Sequence, residues 1–199
     1  MNAQEFYNLA WEETQKSTLG KVGKYFERLS VDSGDGRERD YFKEIYWGPF
    51  YKFLACCVKV KKAKYVLELG ADRGVGSIFL QSELVGSGKV YSVDIDPTSW
   101  KYVPANLKTV KKVIGDSIDQ ETIKKIPLSQ IDLCLIDSNH DADHVKKEIE
   151  LYTPHFKKGT ILVFDDINSY WPTWDNSALD KIEDPNNIHY NVGLGVAIV

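Results

Sequence analysis

Basic excess and long apolar runs are both missing from this sequence of 199 residues. Lys and Arg number 25 against 29 Asp and Glu, which gives a net charge of −4, whereas nucleic-acid-binding domains usually carry a basic surplus. The longest apolar stretch, residues 53–58, is far shorter than the about 20 residues that cross a membrane. We therefore expect a protein that binds neither nucleic acid nor membrane.

Cysteine is also scarce, with Cys56, Cys57 and Cys134 as the full set. Three cysteines form no paired framework, and a bridge between two adjacent cysteines in a helical stretch would be strained. The first residues have neither the basic start nor the apolar run of a secretory signal. These features predict reduced, buried thiols and a cytoplasmic location.

Aromatic residues, by contrast, are plentiful: 5 Trp, 11 Tyr and 8 Phe. That content is too high for a disordered chain. A chain of this length buries about 70% of its unfolded surface when it folds as one domain. The composition therefore favours one globular domain without stabilising bridges.

Short β-branched runs alternate with helical stretches along most of the chain. The expected strands are residues 65–69, 89–94, 112–114, 131–136, 160–164, 188–192 and 194–199. Helices are expected at residues 76–84 and 100–110. A third helix is expected to begin after Asp141 as its N-cap and to end at Lys157, Lys158 and Gly159. Its apolar face is expected to consist of Val145, Ile149, Tyr152 and Phe156. This alternation predicts an α/β fold: a doubly wound, Rossmann-like, mostly parallel seven-stranded sheet with helices on both faces.

The first 60 residues have a different pattern, with helices expected at residues 3–17, 21–29 and 41–60. We interpret residues 1–60 as a helical cap within the same domain and residues 61–199 as its core. The aromatic residues of the cap either pack on the sheet edge or form a lid over a ligand at the carboxyl ends of the strands. The same helices are a candidate surface for association between copies of the chain.

A glycine-rich turn follows the first expected strand, in residues 66–77. Glycines let a backbone approach a ligand closely, and a helix N-terminus provides unpaired amides. The nicotinamide fingerprint fails because Asp72 stands where its second glycine is needed. The phosphate-binding P-loop fails because Val75 and Gly76 replace its Gly-Lys pair.

The spacing of Glu68, Gly70 and Gly74 instead resembles motif I of the class I S-adenosylmethionine-dependent methyltransferases. The resemblance implies that Glu68 lies under the cofactor and that Gly70 and Gly74 admit its methionine half. Ala71 and Ser77, in the same turn, are assigned to the cofactor with them.

The resemblance also gives roles to the ends of the next two strands. It implies that Asp94 binds the ribose, with Ile95 beside it, because a carboxylate accepts hydrogen bonds from both ribose hydroxyls. It assigns Asp116 and Ser117, after the third strand, to the adenine. The alternative for each aspartate is that it only caps the turn that follows.

Acidic residues follow the fourth and fifth strands: Asp137 in one case, and Asp165 and Asp166 in the other. Neighbouring parallel strands end at the same edge of a sheet, so these three carboxylates would repel one another unless a cation joined them. Oxygen ligands of this kind select Mg²⁺, Ca²⁺ or Mn²⁺ over zinc.

The pattern of Asp137, His140, Gly159 and Asp165 resembles the metal-dependent small-molecule O-methyltransferases over about residues 45–170. It is similar to the catechol enzymes and more similar to the bacterial family with cephalosporin-hydroxylase-like proteins and macrolide sugar O-methyltransferases. The resemblance implies methyl transfer to a small-molecule hydroxyl, with Asp137 and His140 catalytic and Asp137, Asp165 and Asp166 holding the metal. Asp137 is also assigned to the cofactor. The catechol enzymes have Asp-Asn in place of Asp165–Asp166 and lysine in place of His140, which leaves the base and the metal affinity open.

Other interpretations compete with this one. A zinc helix through His140 and His144 is disfavoured, because no glutamate follows His140 and His144 is expected to face solvent. A metal-independent methyltransferase and a non-catalytic S-adenosylmethionine-binding protein remain alternatives. The acceptor pocket is expected from the N-terminal helices and residues 168–185, where Trp171 and Trp174 either line it or only pack.

Overall fold

The computed structural model describes residues 1–17, 47–165, 188–189 and 194–199. The expected helix at residues 21–29, Asp166, and the segment with Trp171 and Trp174 lie outside the described residues. In the described part of the chain, no helix combines the length and the apolar character needed to cross a bilayer.

A mostly parallel sheet forms the centre of the structure. Its strands are β1 (Tyr65–Leu69), β2 (Lys89–Asp94), β3 (Val110–Ile114), β4 (Leu133–Ile136), β5 (Ile161–Phe164), β6 (Ile188–His189) and β7 (Gly195–Ile198), in the order β3-β2-β1-β4-β5-β7-β6. The first five are parallel, whereas β7 is antiparallel to both β5 and β6. The predicted α/β fold is confirmed, although β6 contributes only two residues to the described part of the sheet, so six strands make up nearly all of that part.

Alternating side chains of the strands enter two separate apolar layers, which explains why the central strands are apolar on both faces. In β1, Val66 belongs to one layer, while Leu67 and Leu69 belong to the other. All three side chains are fully buried.

Helices α1 (Ala3–Lys16), α2 (Trp47–Lys61) and α3 (Val75–Ser82) cover the Val66 face of the sheet. Asn2 begins α1 with a capping box, in which its side chain accepts from the Glu5 amide and the Glu5 carboxylate accepts from the Asn2 amide. The rings of Tyr7 in α1 and Phe53 in α2 pack with centroids 5.0 Å apart. Both N-terminal helices therefore share a core with the sheet.

Short helix α4 (Gln120–Ile123) and helix α5 (Ala142–Tyr152) lie on the opposite face. Asp141 caps α5 as predicted, accepting from the amides of Asp143 and His144. Its apolar residues Val145, Ile149 and Tyr152 are buried as predicted, and Phe156, which lies beyond the end of the helix, is buried as well. The predicted end at residues 157–159 is wrong, because Pro154 has no amide hydrogen and the chain turns into a 3-10 helix at Thr153–His155.

The helix expected at residues 100–110 is also wrong, since this segment consists of turns. Two of its amides bond outside the segment: the Trp100 amide donates to Asp72 O at 2.8 Å and the Tyr102 amide to Arg73 O at 3.0 Å. Trp100 has a φ of 66°, and Pro104 interrupts the segment. At Trp100 and Tyr102, hydrogen bonds to the glycine turn take the place of helical hydrogen bonds.

A buried polar network lies within the apolar layer under α3. Glu68 in β1 is 1% exposed and is the register partner of Ser92 in β2. The hydroxyls of Ser77 and Ser92 both donate to Glu68 Oε2, and Trp100 Nε1 donates to Ser92 Oγ at 2.6 Å. Burial raises the pKa of Glu68 to about 7, although both serine hydrogen bonds act to lower it.

Replacing Glu68 by glutamine should flatten the dependence of stability on pH. The folded protein holds the Glu68 proton up to about pH 7, while the ordinary carboxyl pKa is 4.5. The contribution of Glu68 to stability therefore falls as pH rises from 4.5 to 7. At about 1.4 kcal/mol per pH unit, the full loss above pH 7 lies between about 3 and 4 kcal/mol. The free energy of unfolding of Glu68→Gln, measured by urea unfolding between pH 5 and pH 8, should not show this loss.

Glu121→Gln is the matched control, because the Glu121 side chain is 73% exposed. This control should retain the slope of the unaltered protein. An equal slope in Glu68→Gln and the unaltered protein would contradict the assignment of the proton to Glu68.

Candidate functional site

A cavity of about 400 Å³ opens at the carboxyl ends of the parallel strands. It lies where the strand order reverses, between β1 and β4, which is the position at which open α/β sheets bind ligands. The lining residues are Gly70, Val93, Asp94, Ile95, Gly115, Asp116, Ser117, Ser138, Asn139, His140 and His144.

The glycine turn after β1 contributes Gly70 to the cavity lining and lies tightly against the end of β4. Gly70 has a φ of 87°, and a Cβ there would overlap the carbonyl of Asp137, so no other residue fits. The Gly70 amide donates to Val93 O at 3.0 Å. Gly74, with a φ of 83°, is the N-cap of α3.

Asp94, at the end of β2, holds this turn in place. Its Oδ2 accepts from the amides of Ala71 and Asp72, both at 2.9 Å, and its Oδ1 accepts from the Asp96 amide at 2.9 Å. A carboxylate has about four acceptor positions, so roughly one remains, on Oδ1. Next to it, Ile95 is 70% exposed and gives the cavity an apolar rim.

The loop after β3 supplies Asp116 and Ser117 to the lining. Asp116 Oδ1 accepts from the Ile118 amide at 3.1 Å, so this carboxylate caps its turn as well as facing the cavity. Ser117 is 6% exposed, and its hydroxyl lies 3.0 Å from His144 Nε2.

The acidic residues after β4 and β5 follow strands that pair directly, with Ile136 opposite Phe164. The Asp165 amide donates to Ile136 O at 3.1 Å, so Asp137 and Asp165 leave the sheet side by side. Two carboxylates there suit an oxygen-preferring cation. Within residues 1–17, 47–165, 188–189 and 194–199, no three potential ligands are grouped for a metal, and Asp166 lies outside these ranges.

One polar cluster beside the cavity was not predicted. The expectation that His144 faces solvent is wrong, because its side chain is 17% exposed and lines the cavity. His144 Nε2 lies 3.4 Å from Oε1 of Glu148, a fully buried residue that also accepts from Ser138 Oγ at 2.6 Å. The Tyr152 hydroxyl donates to Ser117 O at 2.8 Å. Glu148 raises the pKa of His144, against the effect of burial.

The spacing of His144, Glu148 and Tyr152 is the signal in the sequence that could have revealed this cluster. Residues at i, i+4 and i+8 share one face of a helix. A histidine and a glutamate on that face next to the apolar stripe indicate a buried polar pair rather than a solvated surface.

The predicted site residues therefore divide into two groups. The cavity lining includes Gly70, Asp94, Ile95, Asp116, Ser117 and His140. Among the described residues, those predicted but absent from the lining are Glu68, Ala71, Gly74, Ser77, Asp137 and Asp165. Glu68 and Ser77 are buried beneath the turn, where they bond to each other.

Several known proteins that are similar to this chain in sequence or fold are methyltransferases. Demethylmacrocin O-methyltransferase of Streptomyces fradiae is 26% identical over 116 residues, which is 54% of this chain and 28% of that protein. The chain thus spans less than a third of the length of this curated relative.

Two solved structures have similar folds. An O-methyltransferase from Bacillus cereus, in complex with SAH, aligns with a TM-score of 0.60 at 16% identity, over 96% of this chain and 90% of that one. The MycE methyltransferase of the mycinamycin biosynthetic pathway, in complex with Mg and SAH, aligns with a TM-score of 0.59 at 18% identity, over 88% of this chain and 53% of that one.

A family model described as a methyltransferase domain matches residues 67–167, which is about half of the chain. The match runs from β1 through the end of β5 and includes both the glycine turn and the strand ends that surround the cavity. The chain therefore belongs to the methyltransferase domain family.

Proposed function

We propose that this protein binds S-adenosylmethionine in the cavity between β1 and β4 and transfers its methyl group to a hydroxyl oxygen of a small molecule. The observation that carries the proposal is the link between Asp94 and the glycine turn, because it joins the two predicted cofactor-binding segments in one wall of the cavity. The family match and the SAH complexes of similar folds support it.

The lining residues have suitable chemistry for the adenosine part of this cofactor. The remaining acceptor position on Asp94 Oδ1 suits one ribose hydroxyl, and the exposed side chain of Ile95 suits an adenine face. Asp116 and Ser117 supply polar groups for the edge of the base. In this proposal Glu68 and Ser77 act from beneath, by supporting the turn of Ala71 and Gly74.

Asp94→Ala should weaken the binding of SAH by about 10- to 100-fold, since hydrogen bonds to a charged acceptor are worth about 1.5–3 kcal/mol. Asp96→Ala is the matched control: Asp96 is an exposed carboxylate two residues away that bonds to Thr98. Calorimetry should give unchanged SAH affinity for this control and no NAD binding. Unchanged affinity in Asp94→Ala, or NAD binding by the unaltered protein, would refute the cofactor assignment.

The acceptor end of the site is proposed to hold a divalent cation, with Mg²⁺ the first candidate, between Asp137, Asp165 and Asp166. The adjacent strand ends of Asp137 and Asp165 support this, as does the Mg in the similar MycE structure. A bound divalent ion lowers the pKa of a coordinated hydroxyl and orients it.

Mg²⁺ should raise the melting temperature of the protein, because a ligand that binds only the folded state stabilises it. At a hundredfold excess over Kd the gain is about 2.7 kcal/mol, or several degrees for a domain of this size. Asp165→Asn should abolish the shift, while Asp143→Asn, with an 86% exposed side chain, should retain it. EDTA should stop turnover without preventing SAH binding. Full turnover in excess EDTA would instead favour a metal-independent methyltransferase.

His140 is proposed as the base that accepts the hydroxyl proton, because it lines the cavity three residues after Asp137. The cofactor supplies a methyl group that its sulfonium already makes electrophilic. The protein's task is then to hold the acceptor oxygen in line and to remove its proton. Imidazole suits the second task, since its neutral form has a ring nitrogen that can accept a proton.

His140→Ala should lower turnover by about 10²- to 10⁴-fold, as is usual for the loss of a general base. SAH binding and the Mg²⁺-induced melting shift should persist in this variant. The exposed His155, outside the cavity lining, provides the control His155→Ala, which should retain turnover. Unimpaired turnover in His140→Ala would leave this histidine without a catalytic role.

A panel of hydroxyl acceptors is needed for these assays. It should include catechols, sugars and demethylmacrocin, for which the similar Streptomyces fradiae enzyme is named. SAH binding without turnover of any acceptor would favour a cofactor-binding protein without catalysis.

A further inference from the structure

Three polar side chains of α5 line up along one face of the helix: His144, Glu148 and Tyr152, at i, i+4 and i+8. His144 and Tyr152 both bond to Ser117, one at its hydroxyl and the other at its carbonyl. Glu148 accepts from the Ser138 hydroxyl. One helix face therefore ties the loops after β3 and β4 to each other beside the cavity.

The buried position of Glu148 is energetically unfavourable for the fold. Its side chain is fully buried, and its Oε2 has no hydrogen-bond partner among the residues that the structure describes. Burying a carboxylate costs several kcal/mol unless partners compensate, and an apolar side chain of similar size would fill the same space. Packing alone does not explain why a glutamate stands at this position. Its contacts with His144 and Ser138 do explain it, because they orient both side chains.

The Glu148 carboxylate favours one direction for the hydrogen bond between His144 and Ser117. His144 Nε2 lies 3.4 Å from Glu148 Oε1 and 3.0 Å from Ser117 Oγ, and the carboxylate favours the form of the ring in which this nitrogen carries a hydrogen, since a carboxylate only accepts. The Nε2–H group then donates toward Ser117 Oγ as well. The proton of the Ser117 hydroxyl remains available for an acceptor in the cavity.

We propose that His144 is a positioning residue for the adenine subsite: together with Glu148 it orients the Ser117 hydroxyl to donate to a ring nitrogen of the base. The proposal rests on the proposed function, since it takes the cavity ligand to be the adenosine cofactor. His144 acts here through Ser117 and not on the reacting atoms.

A double-mutant cycle on SAH binding tests this inference by calorimetry. Ser117→Ala and His144→Ala should each weaken SAH binding by about 3- to 10-fold, the range expected for one hydrogen bond. If His144 acts through Ser117, the double variant should bind about as weakly as Ser117→Ala alone. Independent contributions would instead multiply.

A rescue experiment separates positioning from a merely structural role. His144→Gln places an amide N–H near the position of Nε2 and should bind SAH within about twofold of the unaltered protein. His155→Ala, the exposed control, should bind equally well. Melting temperatures without ligand, measured for every variant, report any loss of folding stability separately from SAH affinity.

The possible outcomes distinguish this inference from the proposed function. No SAH binding by the unaltered protein overturns both. SAH binding by the unaltered protein with equal affinity in His144→Ala, or with effects that multiply in the double variant, overturns the role of His144 alone. Weak binding by His144→Gln as well as His144→Ala would also overturn it.

Discussion

The close approach of Gly70 to the carbonyl of Asp137 determines how the rest of this site is arranged. No Cβ fits between the two segments, so the chain leaves β1 in a left-handed turn directly against the end of β4. The amides of the turn donate hydrogen bonds to Asp94, and its carbonyls accept hydrogen bonds from the amides of Trp100 and Tyr102. The ends of β1, β2 and β4 are thereby joined around one cavity.

Two buried carboxylates support this arrangement from opposite faces of the sheet. Glu68 lies in the layer under α3, and Glu148 lies on α5 in the other layer. Each accepts hydrogen bonds from serine hydroxyls on neighbouring elements, Ser77 and Ser92 in one case and Ser138 in the other. Buried carboxylates of this kind lower the stability of the fold, but they orient the side chains that bond to them, which apolar packing cannot do.

The strands and the order of the site segments could be predicted from the sequence, because burial on both faces leaves an unmistakable apolar pattern in segments such as β1 and β4. The helix expected at residues 100–110 failed since periodicity carries no information about amides that bond to a distant turn. The prediction that His144 faces solvent was wrong for a related reason. Its burial depends on Ser117, a residue brought close only by folding. The lining positions of Asp94, Asp116 and His140 followed from strand ends, which the sequence marks clearly.

The hydrogen bonds of Asp94 have a consequence for how strongly a ligand is bound. Because three amides already hold this carboxylate, its rotamer freedom is lost when the chain folds and not when a ligand arrives. A hydroxyl that reaches Oδ1 meets an acceptor already in place, and its departure leaves no side chain to rearrange. Such a site loses little further entropy when a ligand binds, so more of the hydrogen-bond energy contributes to affinity.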